Sequence, residues 1–157
     1  MNVAIVVGII LVVLFALVYF TKRRFGVLGL ALAAGATLST LWASDVTPLV
    51  QNAGFVIAAP PMESVMAAAL ILLPAVILLF SGPAYHSKTQ RSVGAVAFAV
   101  LAAAFLLDPL GDALVLTGDS RQVYDALTDN RVYIITAGII FALFDLLTAK
   151  AKKDKEK

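Results

Sequence analysis

Few side chains in this sequence can do chemistry, and their spacing limits what they can do. His86 is the single histidine, in the run Gly82-Pro83-Ala84-Tyr85-His86. An imidazole can hold a metal or move a proton near neutral pH. No acid and no second histidine stands beside it, so it reads as a solvated loop residue. Asp145 is the acid set deepest in an apolar stretch, about one turn from its end and close to Lys150. It suits a carboxylate reaching out to an interface, and the sharper alternative is pairing with a loop cation. Thr37, Ser39 and Thr40 offer hydroxyls without a base to activate them. Asp45, Glu63, Asp108, Asp112, Asp119, Asp125 and Asp129 could gather a divalent cation, but their spacing matches no binding loop. The chain has no Cys, which removes disulfides, thiolate metal sites and a cysteine nucleophile. Nucleophile elbows, phosphate loops, zinc helices and flavin fingerprints are absent. The expectation is a protein that is not an enzyme and needs no cofactor or metal.

The elements that would position these residues are apolar and long. Of 157 residues, 61% are hydrophobic, and the mean hydropathy is +0.96. Soluble domains sit nearer ~45–50% apolar. A chain this short cannot bury so much apolar surface in its own core, so lipid must take part of it. Crossing a bilayer takes about 20 apolar residues, and lipid tolerates only helices or closed barrels. No apolar–polar alternation supports a barrel. The chain reads as one all-α domain over residues 1–149, a polytopic helical membrane bundle. Five transmembrane helices are predicted, at about 3–20, 25–43, 62–80, 93–107 and 132–147. Four is the alternative, because the fourth stretch is short. Two outer interfacial helices are predicted as well. One lies in Ser44–Pro61, capped by Ser44 or Asp45 and ended by Gly54, Pro60 and Pro61, with a re-entrant hairpin as its alternative. The other is capped by Asp119-Ser120 and shows Val123, Tyr124 and Leu127 on one face.

Charge orders the spans. Lys22, Arg23 and Arg24 follow the first span directly, with no small-residue cleavage pattern, which predicts a retained helix rather than a signal peptide. If this cluster is cytoplasmic, so are Lys88 and Arg91 and the basic tail 150–157 with Lys150, Lys152, Lys153, Lys155 and Lys157. Only Arg121 and Arg131 then fall outside, where the acids collect. Cations near span ends stay inside, so the prediction is an inner-membrane protein with its amino end out and its carboxyl end in. Lys22, Arg23, Arg24, Lys88, Arg91, Lys150, Lys152 and Lys153 are its topology and lipid anchors. The cations lack interleaved aromatics, which argues against a nucleic-acid surface. Trp42 and Tyr133 fall at predicted outer interfaces and Tyr19 at the inner one, as amphipathic rings prefer.

Ionisable residues are missing from the middle of the first four spans, where pumps and proton-coupled transporters usually need them. Small residues are plentiful instead. Gly29 with Ala33 and Gly35 with Ser39 stand four apart on the second span, and Ala95, Ala99 and Ala103 form a stripe on the fourth. Small residues let helix backbones approach closely. That predicts packing faces, within one subunit or toward another. The first span, rich in branched residues, reads as lipid-facing. Pro74 should kink the third.

The order of features over residues 1–110 resembles the colicin V production protein family of small bacterial inner-membrane proteins. The likeness rests on an apolar first span leading into Lys22-Arg23-Arg24-Phe25-Gly26-Val27-Leu28-Gly29, a small-residue second span with an outer amphipathic stretch at Ser44–Val56, a third span, a basic loop, and a fourth span with Gly94. The chain departs from the family in lacking an acid near the start of the first span and in adding a fifth span. The resemblance implies a non-catalytic role in envelope homeostasis or export, within an assembly of membrane subunits, and carries over no functional residue. The expected function is an accessory or scaffold subunit in the bilayer, partnered by other membrane proteins or by itself. The alternative is a homo-oligomeric channel or small-solute transporter lined by the second and fourth spans.

Overall fold

The computed structural model describes residues 3–55, 57, 60–80, 83–85, 87–113 and 119–153. They form five helices: α1 Val3–Thr21, α2 Phe25–Asn52, α3 Met62–Phe80, α4 Lys88–Ala113 and α5 Asp119–Lys153. No strand occurs among the described residues. Four helices hold a stretch long and apolar enough to cross a membrane: Phe25–Asn52, Met62–Phe80, Lys88–Gly111 and Tyr124–Thr148. Helix α1 contributes a shorter apolar stretch, Gly8–Thr21. The chain is an all-helical bundle suited to a multi-pass membrane protein.

Helix α4 is the centre and touches all four others. Its sequence explains why. Ala95, Ala99, Ala102 and Ala104 are buried between Phe98, Leu101 and Phe105, so small residues admit neighbouring backbones while large ones fill the gaps between them. Phe25, Leu28 and Leu32 of α2, Val18 of α1, Ile71, Ala75 and Leu79 of α3, and Ala142 of α5 complete one continuous core. Lipid-side residues on the same helices stay exposed, among them Val12 and Phe20 on α1, Ile77 and Phe80 on α3, and Ile140 and Phe144 on α5. Helix α1 is therefore lipid-facing on one side only, since Leu14 and Val18 are buried. Both expected interfacial rings on the acidic side are exposed, Trp42 and Tyr133.

The two separate interfacial helices are not formed. Ser44–Asn52 continues α2 to 28 residues, and Asp119–Asp129 runs unbroken into α5, which has 35 residues. At ~1.5 Å per residue these helices reach roughly 42 and 52 Å, beyond a ~30 Å hydrocarbon core. Nothing stops α2 between Ala43 and Thr47. Ser44 and Asp45 sit inside the helix rather than capping one, and Thr47 Oγ1 donates to the Ala43 carbonyl at 2.7 Å just before Pro48. The stop comes at Gly54 (φ +92°). There the Gly54 N–H donates to Gln51 O and the Phe55 N–H to Val50 O, the two bonds of a Schellman end. Asn130 bonds back to Ala126 O at 2.8 Å, so it does not interrupt α5. Helix α4 is also longer than the expected fourth span, at 26 residues.

Candidate functional site

At one end of the bundle, basic residues tie helix termini together. Helix α1 stops at Lys22, whose backbone is left-handed (φ 58°). The next residues run alongside the 83–85 segment. The Tyr85 N–H donates to Lys22 O at 2.7 Å and the Arg24 N–H to Pro83 O at 3.1 Å. Helix α2 begins at once, with no capping side chain from its own Arg24. Its free amides are met from far along the chain. The Phe25 N–H donates to the Tyr85 hydroxyl at 3.1 Å, and the Gly26 N–H to Asp145 Oδ2 at 2.9 Å. A carboxylate at a helix N-terminus is favoured by the orphan amides and the macrodipole together.

The arginines close the other ends. Arg23 donates to the last carbonyls of α3, Leu79 O at 2.9 Å and Phe80 O at 3.0 Å. Arg91 donates to Tyr19 O near the end of α1 and lies 3.9 Å over the Tyr19 ring. Arg24 pairs with Asp145 at 3.4 Å and lies 5.4 Å from the Tyr85 ring centroid. The Arg24 and Asp145 side chains are 17% and 10% exposed, so this carboxylate is held inside the bundle. The interfacial reading of Asp145 is thereby corrected in favour of its alternative, pairing with a loop cation: that cation is Arg24, 121 positions away. Burial is the main cause that pushes the Tyr85 phenol up to about 12, with nearby Asp145 adding to it.

Lys22 and Lys88 are exposed, whereas Arg23, Arg24 and Arg91 are partly buried. Lys150, Lys152 and Lys153 stand on the last turns of α5, and their side chains lie outside the described set. His86 falls outside the described residues.

The small residues on α2 face two partners. A Cβ at Gly26 would meet Ala142 O at 2.6 Å, and one at Gly29 would meet Ala142 Cβ at 3.1 Å, so the first turns of α2 lie directly on α5. Farther on, a Cβ at Gly35 would meet Leu70 O and the Ile71 carbonyl carbon at 2.8 Å. Pro74 has no N–H for Leu70 O, and it is this freed region of α3 that leans on Gly35. Ala33 packs partly against the core, and Ser39 is buried. On α4, Ala95 and Ala99 are buried, while Ala103 lines a narrow apolar groove with Leu11 and Ile134.

At the opposite, acidic end a cleft of about 500 Å³ opens between α2, α3 and α4, with α5 at its rim. Ser39 and Thr40 reach it from α2, Glu63 and Ser64 from α3, Asp108 from α4 and Arg131 from α5. Asp108 and Arg131 form an ion pair. Sequence reasoning treated these acids as separate surface charges and weighed Ser39 for packing and as a hydroxyl without a base. Ser64 was missed, because a serine in the first turn of a helix gives no signal of what it will face. Comparison with protein families, with curated proteins and with solved structures finds no match.

Proposed function

We propose that this chain is a non-catalytic, multi-pass protein of the bacterial inner membrane, an accessory or scaffold subunit serving envelope homeostasis or export. The observation that carries this reading is the way α5 is mounted. An ion pair holds it near each end, Arg24–Asp145 and Asp108–Arg131. Between them it touches the bundle along one stripe that includes Ala142 and Gly138, and only 6% of its apolar window is buried. A helix clamped at both ends and open along its flank is a stable platform for a neighbouring transmembrane helix. The resemblance to the colicin V production protein family favours the same class of role. The charge order favours five spans with the amino end outside and the carboxyl end in the cytoplasm.

A homo-oligomeric pore lined by the second and fourth helices is less well supported. Thr37 and Thr40 return their hydroxyls to their own helix, at 3.0 Å to Ala33 O and 2.8 Å to Thr37 O. Most of the apolar window of α4 is buried in its own chain, which leaves one flank, with Val93, Val96 and Val100, for an axis shared between copies.

The test is mild-detergent extraction followed by intact-complex mass spectrometry, with a photo-crosslinking residue placed at Phe144 or, as a buried control, at Phe98. The expected result is a stoichiometric complex with a second polypeptide, crosslinked from position 144 and not from 98. A monomer giving only lipid adducts from position 144 would overturn the proposal.

A further inference from the structure

The cleft at the acidic end holds two hydroxyls with nothing to bond. Ser39 and Ser64 are the polar residues found buried among the described ones, 9% and 6% exposed. A helical hydroxyl usually returns to the carbonyl four residues back, as Thr37, Thr40 and Thr47 do on the same helix as Ser39. Neither serine does so, and neither has a hydrogen-bond partner among the described residues. Both line the cleft, from facing helices, and neither hydroxyl is sealed off from it. Leaving a buried hydroxyl unbonded is unfavourable, so most in native proteins find a partner. Here the partner must come through the cleft.

The cleft runs well into the bundle. Ile71 lines it, and the Ile71 carbonyl packs at Gly35. Ile71 is nine residues in from Met62, roughly 13 Å along α3 and about half the length of that helix. The cleft's volume falls in the ~300–1,000 Å³ range of small-molecule sites. The deep walls are apolar, with Ala67, Ile71 and Phe105.

Charge selects the ligand. Among the described residues three charged side chains line the cleft, Glu63, Asp108 and Arg131. Arg131 is taken by Asp108, and Glu63 has no ion-pair partner among the described residues. The surplus is one carboxylate. The geometry points to a binding site for a small amphiphilic amine: its ammonium at Glu63, a hydrogen-bonding group between Ser39 and Ser64, and its apolar part on Ile71 and Phe105. Such an ammonium can come from a water-soluble amine or from an aminophospholipid headgroup, and the two are separable by experiment.

The sequence has no cysteine, so Ser39→Cys places a single thiol in the pocket, and Ser64→Cys does the same from the facing helix should the first variant misfold. The full chain in neutral maltoside micelles is treated with a cationic methanethiosulfonate (trimethylammonioethyl) and an anionic one (sulfonatoethyl), each normalised to its rate with a free thiol. The cationic reagent should react about tenfold faster, the low end of field focusing in a charged cleft. Glu63→Gln should bring the two rates near parity. Phenylethylamine should slow the labelling, and phenylacetate should not. Protection by phosphatidylethanolamine added to the micelles would identify the headgroup as the source, and protection by phenylethylamine alone the soluble amine. The proposal is overturned if neither thiol reacts, if the two reagents react equally, if Glu63→Gln leaves the preference intact, or if neither amine protects.

Discussion

Replacing Gly35 with alanine tests the closest approach of backbone atoms found at any described glycine. The new Cβ would sit 2.8 Å from Leu70 O and from the Ile71 carbonyl carbon, and nearer still to the Ile71 oxygen. All three are backbone atoms, so no side chain can swing aside. Ordinary carbon contacts lie at ~3.5–4.0 Å, and α2 and α3 must separate by more than half an ångström. Overpacking of this kind costs about 1–3 kcal/mol. Alanine recovers about 1 kcal/mol of helix propensity over glycine, leaving a net loss of about 0–2 kcal/mol, and about 1–3 kcal/mol relative to a glycine-to-alanine change in open space. Gly8→Ala is the matched control, because nothing lies within 4 Å of its Cβ. It should be neutral or gain up to ~1 kcal/mol. Gly35→Leu adds a larger group to the same filled space and should lose more than ~3 kcal/mol. Unfolding by dodecyl sulfate titration in mixed micelles, followed by the emission of Trp42, the single tryptophan, gives the three values on one scale. Equal stabilities for Gly35→Ala and Gly8→Ala would refute the backbone contact and, with it, the seat of the Pro74 region on α2.

Asp145→Asn keeps an acceptor for the Gly26 N–H but removes the charge facing Arg24, whose Nε is already buried without a partner. The same titration should show a loss of about 1–3 kcal/mol, partly recovered when Arg24→Met is added; no loss would mean that the pair is idle. Tyr85 should ionise near 12 in an alkaline absorbance titration. Its folded pKa lies above the unfolded value of ~10, so its contribution is full below pH ~10 and declines as pH rises from there toward about 12. Tyr85→Phe should remove that decline, and an unchanged alkaline profile in the variant would sink the assignment. A reporter active only outside the cytoplasm, fused after Gly118, should be active, whereas activity of a cytoplasmic reporter there would refute the five-span order.

Much of the fold can be read along the chain. Hydropathy depends on composition within a window, so the apolar helices were expected where they lie, and α3 begins and ends at the expected Met62 and Phe80. The glycine stop at residue 54 was legible too, since a left-handed turn favours a residue without a Cβ. Element ends were less so. A helix does start at the expected Asp119, but Ser44-Asp45 is a good cap only in the abstract: a cap is used only where the helix behind it breaks, and in this protein α2 runs on through Ser44.

Partnerships were invisible for a different reason. The Gly26 amide needs an acceptor whatever the fold, yet that acceptor, Asp145, is 119 positions away. Nothing local distinguishes it from a carboxylate reaching for water. Gly35 and Pro74 each announce themselves in sequence, one as a place for close approach and one as an expected kink, but only packing sets the turn before Pro74 against the glycine. Ser39 and Ser64 are ordinary residues until α2 and α3 bring them to one cleft with Glu63. Composition and window hydropathy thus dictate a helical membrane protein and the sign of charge at each end. Which amide meets which carboxylate, and where a pocket opens, depends on contacts between residues far apart in the chain, and these exist only once the helices have packed.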